Sequence, residues 1–104
     1  MATSLNNQSI LHTLTANQQV LTGFGVMEIG LFGSFVRNEQ HQNSDIDLLV
    51  DIQPAKKTFQ NFMALAYYLE TIFGRKVELV TKQSLSPYIG PHILKTVQYA
   101  TFSN

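Results

Sequence analysis

The clearest chemical signal comes from four residues at fixed spacing and a fifth further along the chain. Gly33-Ser34 is followed by ten residues and then by Asp45-Ile46-Asp47, and Glu78 lies in a later apolar segment. Two aspartates at i and i+2 on a strand project from one face, roughly 6–7 Å apart along the backbone. Carboxylates that close repel each other unless a cation sits between them. Hard oxygen donors favour Mg²⁺, which takes one or two protein carboxylates and fills its shell with waters and phosphate oxygens. A third carboxylate on a neighbouring strand, as Glu78 would be, lies about 5 Å away across a sheet and can serve a second metal. Glycine lets a phosphate approach the backbone, serine adds a hydroxyl donor, and N–H groups at a helix start favour an anion. Each part also has a plainer reading. Gly-Ser after a strand is an ordinary turn, and a bare Asp-x-Asp is more often the wet face of an amphipathic strand. Side by side, the parts suggest a metal-bound nucleoside triphosphate.

Charge placement supports that grouping. The chain has 104 residues, its seven basic side chains cancel its seven acidic ones, and charged residues make up 13%, about half the usual share. Of the first 36 residues only Glu28 is charged, while all three aspartates fall between positions 45 and 51. Zero net charge argues against a protein that grips a nucleic-acid backbone, so no DNA template is expected. Without cysteine there are no disulfides, thiolate nucleophiles or Cys-type zinc sites. The first basic residue is Arg37, which leaves no positive leader of a secretory signal. The longest apolar run, residues 62–69, is far short of the ~20 needed to cross a bilayer. The expectation is one cytoplasmic domain with no membrane contact.

The elements that must position these residues follow from periodicity. Ile10, Leu11, Leu14 and Leu21 recur at helical spacing after Asn7 or Ser9 as an N-cap, and Gly23 and Gly25 end the segment. Val26–Phe32 suits a buried strand, and Phe35 to Asn38 a short helical turn. Residues 45–52 alternate, with Ile46, Leu48 and Val50 on one face and Asp45, Asp47, Leu49 and Asp51 on the other. Thr58 caps a helix over Phe59–Phe73 whose expected core stripe is Phe59, Phe62, Met63, Ala66, Leu69 and Phe73, with Gly74 just beyond it. Tyr67, Tyr68, Ala64 and Leu65 make that helix apolar nearly all round, more than one buried stripe requires. Residues 76–81 read as a third strand and residues 92–100 as a last helix. The fold class is therefore α/β (α+β): a small mixed β-sheet with helices packed on one side.

The stretch GLFGSFVRNEQHQNSDIDLLVDI resembles the signature of the DNA polymerase β-type nucleotidyltransferases, Gly-Ser-x10-Asp-x-Asp. It is most similar to the minimal nucleotidyltransferases, whose chains are about this long. The resemblance implies the nucleotidyltransferase fold, with ATP as donor and two Mg²⁺ ions. It assigns Gly33 and Ser34 to the triphosphate, Asp45 and Asp47 to the metals, and Glu78 to a third acid that helps activate the acceptor hydroxyl and serves the metal. It further implies a helical HEPN-type toxin as partner, adenylylated by this chain as its antitoxin. Two other readings stay open: a binding module that neutralises its partner by docking, and transfer to a small molecule such as an aminoglycoside. Self-association into a homo-oligomer is also left open.

The chain departs from the pattern at two points. Val36-Arg37-Asn38 stands where many relatives have a small residue, Arg and Gly; Asn tolerates left-handed backbone better than most residues. Arg37 either reaches the triphosphate or pairs with Glu39 or an acid of the next strand, since arginine suits both. The third acid is Glu78 rather than the commoner Asp, one methylene longer. Asp51 reads as solvated charge, Lys56 and Lys57 as surface, and His12, His41 and His92 have no ligand spacing.

Overall fold

The computed structural model describes residues 5–41 and 43–102. The first helix, α1 (Asn7–Ala16), opens on a reciprocal cap: Ser9 N donates to the Asn6 side chain at 2.8 Å, and Asn6 N donates to Ser9 Oγ at 3.0 Å. The N-cap is thus Asn6 rather than Asn7 or Ser9, with Ser9 at the third helical position. The expected continuous helix is broken at Asn17, and α2 (Gln18–Gly23) starts afresh. Asn17 Nδ2 donates back to the Thr13 carbonyl at 2.8 Å, while its Oδ1 accepts from the Tyr68 hydroxyl at 2.7 Å. A local side-chain bond of this kind competes with the helix ladder, and the Tyr68 contact fixes the break against the neighbouring helix.

Strands β1 (Val26–Phe32) and β2 (Ile46–Ile52) pair antiparallel, with an irregularity between Val26 and Glu28 that leaves Met27 outside the register. That bulge lets Val26, Ile29 and Leu31 all reach the core. Helix α3 (Phe59–Phe73) crosses over to β3 (Val77–Thr81), which pairs parallel to β2. Thr58 caps α3 as expected, accepting from Asn61 N at 3.1 Å, and Gly74 ends it in left-handed backbone. Asn61 Nδ2 then donates to the carbonyls of Phe24 and Lys56, at 2.7 and 2.9 Å, tying the first turn of α3 to the loops beside it.

The last element differs from expectation. Residues 92–100 are not one helix: α4 spans Gly90–Thr96, and Gln98–Tyr99 forms β4, paired antiparallel to β1 at Gly30 and Leu31. Gln98 and Tyr99 pair with the free edge of β1 and Ala100 N donates to the Ile29 carbonyl at 2.9 Å, whereas Val97 N still donates to the Ile93 carbonyl at 2.8 Å and closes α4. The sheet is therefore four-stranded and mixed, in the order β3-β2-β1-β4.

Ile46, Leu48, Val50 and Ile52 of β2 join Ile29, Leu31, Ile10, Leu14, Leu21, Leu65 and Leu69 in one core between the sheet and α1–α3. The other sheet face carries Asp47 and Leu49, and α4 lies over part of it. The phase of α3 also corrects the expectation. Leu65 and Leu69 are buried, with Phe62, Tyr68, Ile72 and Phe73 packed against them, whereas Phe59, Met63 and Tyr67 are 78%, 50% and 73% exposed. Phe59, Met63 and Tyr67 fall at i, i+4 and i+8, an apolar stripe that faces outward.

Leu65→Ala and Leu69→Ala should each cost about 2–5 kcal/mol in urea unfolding. Phe59→Ser and Tyr67→Ser should stay within about 0.5 kcal/mol of the unsubstituted chain. The opposite ranking would put the buried stripe back at Phe59 and Met63.

Candidate active site

Gly33 directly follows β1 with φ +80°, and Gly33–Phe35 forms a short 3-10 turn. Val36 N and Arg37 N both donate to the Gly33 carbonyl, at 3.1 and 3.2 Å, and Glu39 N donates to the Ser34 carbonyl at 2.8 Å. Phe35 is buried and anchors the turn in the core. Asn38 takes φ 57°, so the glycine position of the commoner pattern keeps its left-handed backbone with asparagine in place.

A side chain at position 33 would have to push the Asp47 carboxylate aside and would be strained by the positive φ. A Cβ there would lie 2.1 Å from Asp47 Oδ2, so the turn and the carboxylate of β2 are in direct contact. Register does the rest of the placing. Phe32 pairs with Asp47 on one side, and Glu78 pairs with Asp47 on the other. One row across the sheet thus joins the Gly-Ser turn, the second aspartate and the third acid.

Two hollows meet along this row. One, of about 620 Å³, is lined by Phe32, Gly33, Asp47, Glu78 and Val80 together with α4. The other, of about 500 Å³, is polar and holds Ser34, Asp45, His41 and Ser44. Asp47, Glu78 and Arg37 line both. The structure therefore brings together all six residues singled out by the sequence, with Asp45 and Ser34 on the polar side only. Asp51 lines neither hollow and accepts from Gln83 Nε2 at 3.4 Å. Arg37 Nε donates to Glu39 Oε1 at 2.6 Å, the ion-pair alternative, while its charge still lowers the pKa of Asp47.

Residues outside the motif hold the site in shape. Arg75 donates to the Ser44 carbonyl at 3.0 Å and stacks its guanidinium over the Phe35 ring at 5.6 Å. Phe35 follows Ser34 and Ser44 precedes Asp45, so one side chain clamps both halves of the motif. Sequence reasoning missed Arg75, and it missed Ile89, His92, Ile93 and Lys95 around α4. Arg75 and Lys76 form a basic pair directly before the Glu78 strand, which was the only available signal.

The carboxylates of the row repel one another. Burial, the neighbouring Glu78 and then Asp45 push the Asp47 carboxyl up to about 6, against an ordinary 3.8. Among the described residues no group of three or more His, Asp or Glu side chains is arranged to hold a metal ion by itself. The carboxylates instead offer hard oxygens on an open rim, which suits a cation that arrives with its own ligands.

A mixed sheet that sets a Gly-Ser turn against paired carboxylates is the architecture of a nucleotide-transferring enzyme. The chain belongs to the nucleotidyltransferase domain family, whose profile matches residues 15–100, and it is a nucleotidyltransferase. It is 42% identical over 96 residues to Protein adenylyltransferase MntA of Thermococcus cleftensis, spanning 91% of this chain and 96% of that one. Its fold matches a structure provisionally assigned as a minimal nucleotidyltransferase with a TM-score of 0.78, at 24% identity over 93% of this chain and 98% of that one. A crystal structure of a toxin–antitoxin with AMP-PNP matches at 26% identity and a TM-score of 0.67, covering 96% of this chain and 76% of that chain.

Gly33→Ala should cost about 1–3 kcal/mol in unfolding assays through its positive φ, and it should displace the Asp47 carboxylate and abolish transfer. The raised Asp47 carboxyl predicts a pH effect of definite sign. The folded state binds its proton more tightly than the unfolded chain, so this contribution is fully present below about pH 4 and is lost as pH rises through about 6. Because Asp47 is only half-buried, solvent screening trims the effect to on the order of 1 kcal/mol. Asp47→Asn should therefore be more stable than the unsubstituted chain at about pH 8, and the gap should shrink at about pH 5, as read by urea midpoints. A gap that is flat across this range would refute the assignment.

Proposed function

We propose that this chain transfers AMP from ATP to a hydroxyl of a helical HEPN-type partner protein, and so acts as the antitoxin of a two-protein system in the cytoplasm. The observation that carries this reading is the single row Gly33–Asp47–Glu78, with the turn in contact with Asp47 and Glu78 paired beside it. Identity of 42% with a protein adenylyltransferase supports the choice of adenylyl group and of a protein acceptor.

Asp45, Asp47 and Glu78 would hold Mg²⁺. Their open oxygen set fits an ion that keeps waters and phosphate oxygens in its shell. Bound there, Mg²⁺ supplies positive charge at the α-phosphate as negative charge grows in the transition state. The backbone of Gly33 and the hydroxyl of Ser34 orient the triphosphate at the end of β1, where no Cβ intervenes. The acceptor oxygen forms its bond to the α-phosphorus while the bond to the bridging oxygen breaks and pyrophosphate leaves. Glu78, exposed at the rim, takes the hydroxyl proton on its carboxylate. Arg75 keeps the turn and the Asp45 strand in register while this happens.

A second reading, neutralisation by docking alone, draws on the outward stripe Phe59, Met63 and Tyr67. One experiment separates the two. The chain is mixed with MgATP and a helical HEPN-type protein as candidate partner, and the partner is weighed by mass spectrometry. Mass should rise in AMP steps, and Asp47→Asn should slow the gain by on the order of 1,000-fold. An unmodified partner that Asp45→Asn/Asp47→Asn still neutralises would establish docking and end the catalytic proposal.

A further inference from the structure

The hollow that contains Asp47 and Glu78 has a second wall that no motif marks. Helix α4 contributes His92, Ile93, Lys95 and Thr96 to it, and the turn before α4 contributes Ile89. His92 and Lys95 are three positions apart and share a helix face. Both are exposed. Among the described residues Lys95 makes no ion pair, although it lines the same cavity as two carboxylates. Arg37, the other strong cation of the lining, is already bonded to Glu39 at 2.6 Å.

The cavity is thus bipolar. Acids stand on β2 and β3, and an uncommitted ammonium stands on α4, out of salt-bridge reach of them. A ligand complementary to both walls presents positive charge to one and negative charge to the other. A divalent cation complexed to a polyphosphate has that polarity, and Phe32, Val80 and Ile93 supply apolar surface for an attached base. The volume of about 620 Å³ is within the usual range for a small-molecule site.

We infer that Lys95, with the His92 imidazole beside it, is a binding site for the polyphosphate tail of the nucleoside triphosphate. The inference rests on the nucleotidyl-transfer reading of the carboxylates and adds a contact from α4 that the Gly-Ser motif does not contain. A lysine near a helix C-terminus also complements the helix dipole. That role affects thermal stability and is indifferent to how many phosphates a ligand carries.

Calorimetric titration of the full chain separates these roles, with MgATP, AMP and inorganic tripolyphosphate as probes. Lys95→Gln should weaken MgATP and tripolyphosphate by roughly 10-fold or more and leave AMP within about twofold. Lys95→Arg should restore most of the loss, and the melting temperatures of both variants should match that of the unsubstituted chain. Unchanged binding of MgATP and tripolyphosphate by Lys95→Gln would overturn the inference, as would an equal loss for AMP. Asp47→Asn, titrated with and without Mg²⁺, tests the underlying reading by itself. If it abolishes the Mg²⁺ dependence while Lys95→Gln has no effect, only the α4 contact falls. If Mg²⁺ dependence survives Asp47→Asn, the carboxylate reading falls too.

Discussion

The parallel pairing of β2 with β3 sets Asp47 directly beside Glu78, with Asp45 two residues upstream, immediately before β2 begins. The raised carboxyl of Asp47 records the cost of gathering these like charges. The fold makes the arrangement tolerable by supporting it from behind. Ile46, Leu48 and Val50 alternate with the acids and are fully buried, so β2 cannot slip without exposing its entire apolar face. A one-residue slip would also turn the acids into the core. The register that holds the core together is therefore the same register that holds the repulsion in place.

Around that row the structure is built to resist relaxation. The Asp47 carboxylate fills the space that the absent Cβ of Gly33 leaves, and Arg75 fastens both the 3-10 turn and the start of β2. At the opposite end of the sheet face, Lys82 pairs with Glu28 and lies over the Tyr99 ring at 5.0 Å, linking β1, β4 and the end of β3. The row is held by these constraints, and among the described residues no hydrogen bond or ion pair occupies the carboxylates of Asp45, Asp47 or Glu78. That is the condition an electrostatic site needs: donors fixed in place and uncommitted.

How much of this was legible in the sequence depends on the range of each signal. Thr58, Gly74 and the alternation of β2 act within a few residues, and the chain follows them. The Gly-Ser and Asp-x-Asp spacing picked out residues that the fold brings together, and apolar residues 77, 79 and 80 around Glu78 were enough to put it on a strand. Other features lacked a local signal. Asn17 breaks a helix only because Tyr68, far along the chain, accepts the break. The phase of α3 was obscured because aromatic residues occupy both its faces, and only the position of the sheet decides which are buried. Helix α4 is seven residues long, has no side-chain cap, and is cut short because β1 offers an open edge to Gln98 and Tyr99. The cavity wall it forms therefore left no periodic pattern to read.

The openness of the site bears on what kind of acceptor it can serve. Group transfer needs water kept away from the reacting phosphorus, because water competes as acceptor and weakens every charge interaction in the site. This chain covers the carboxylate row on one flank only, with α4, and leaves Asp45 and Ser34 in a polar hollow open to solvent. A small acceptor would leave that side wet. A protein acceptor brings its own surface, and Tyr88, Ile89 and Leu94 stand 85%, 61% and 51% exposed on and just before α4, where such a surface would meet the cavity edge. On the proposed function, the partner is at once the substrate and the missing wall. The enclosure is then completed only when the right acceptor arrives.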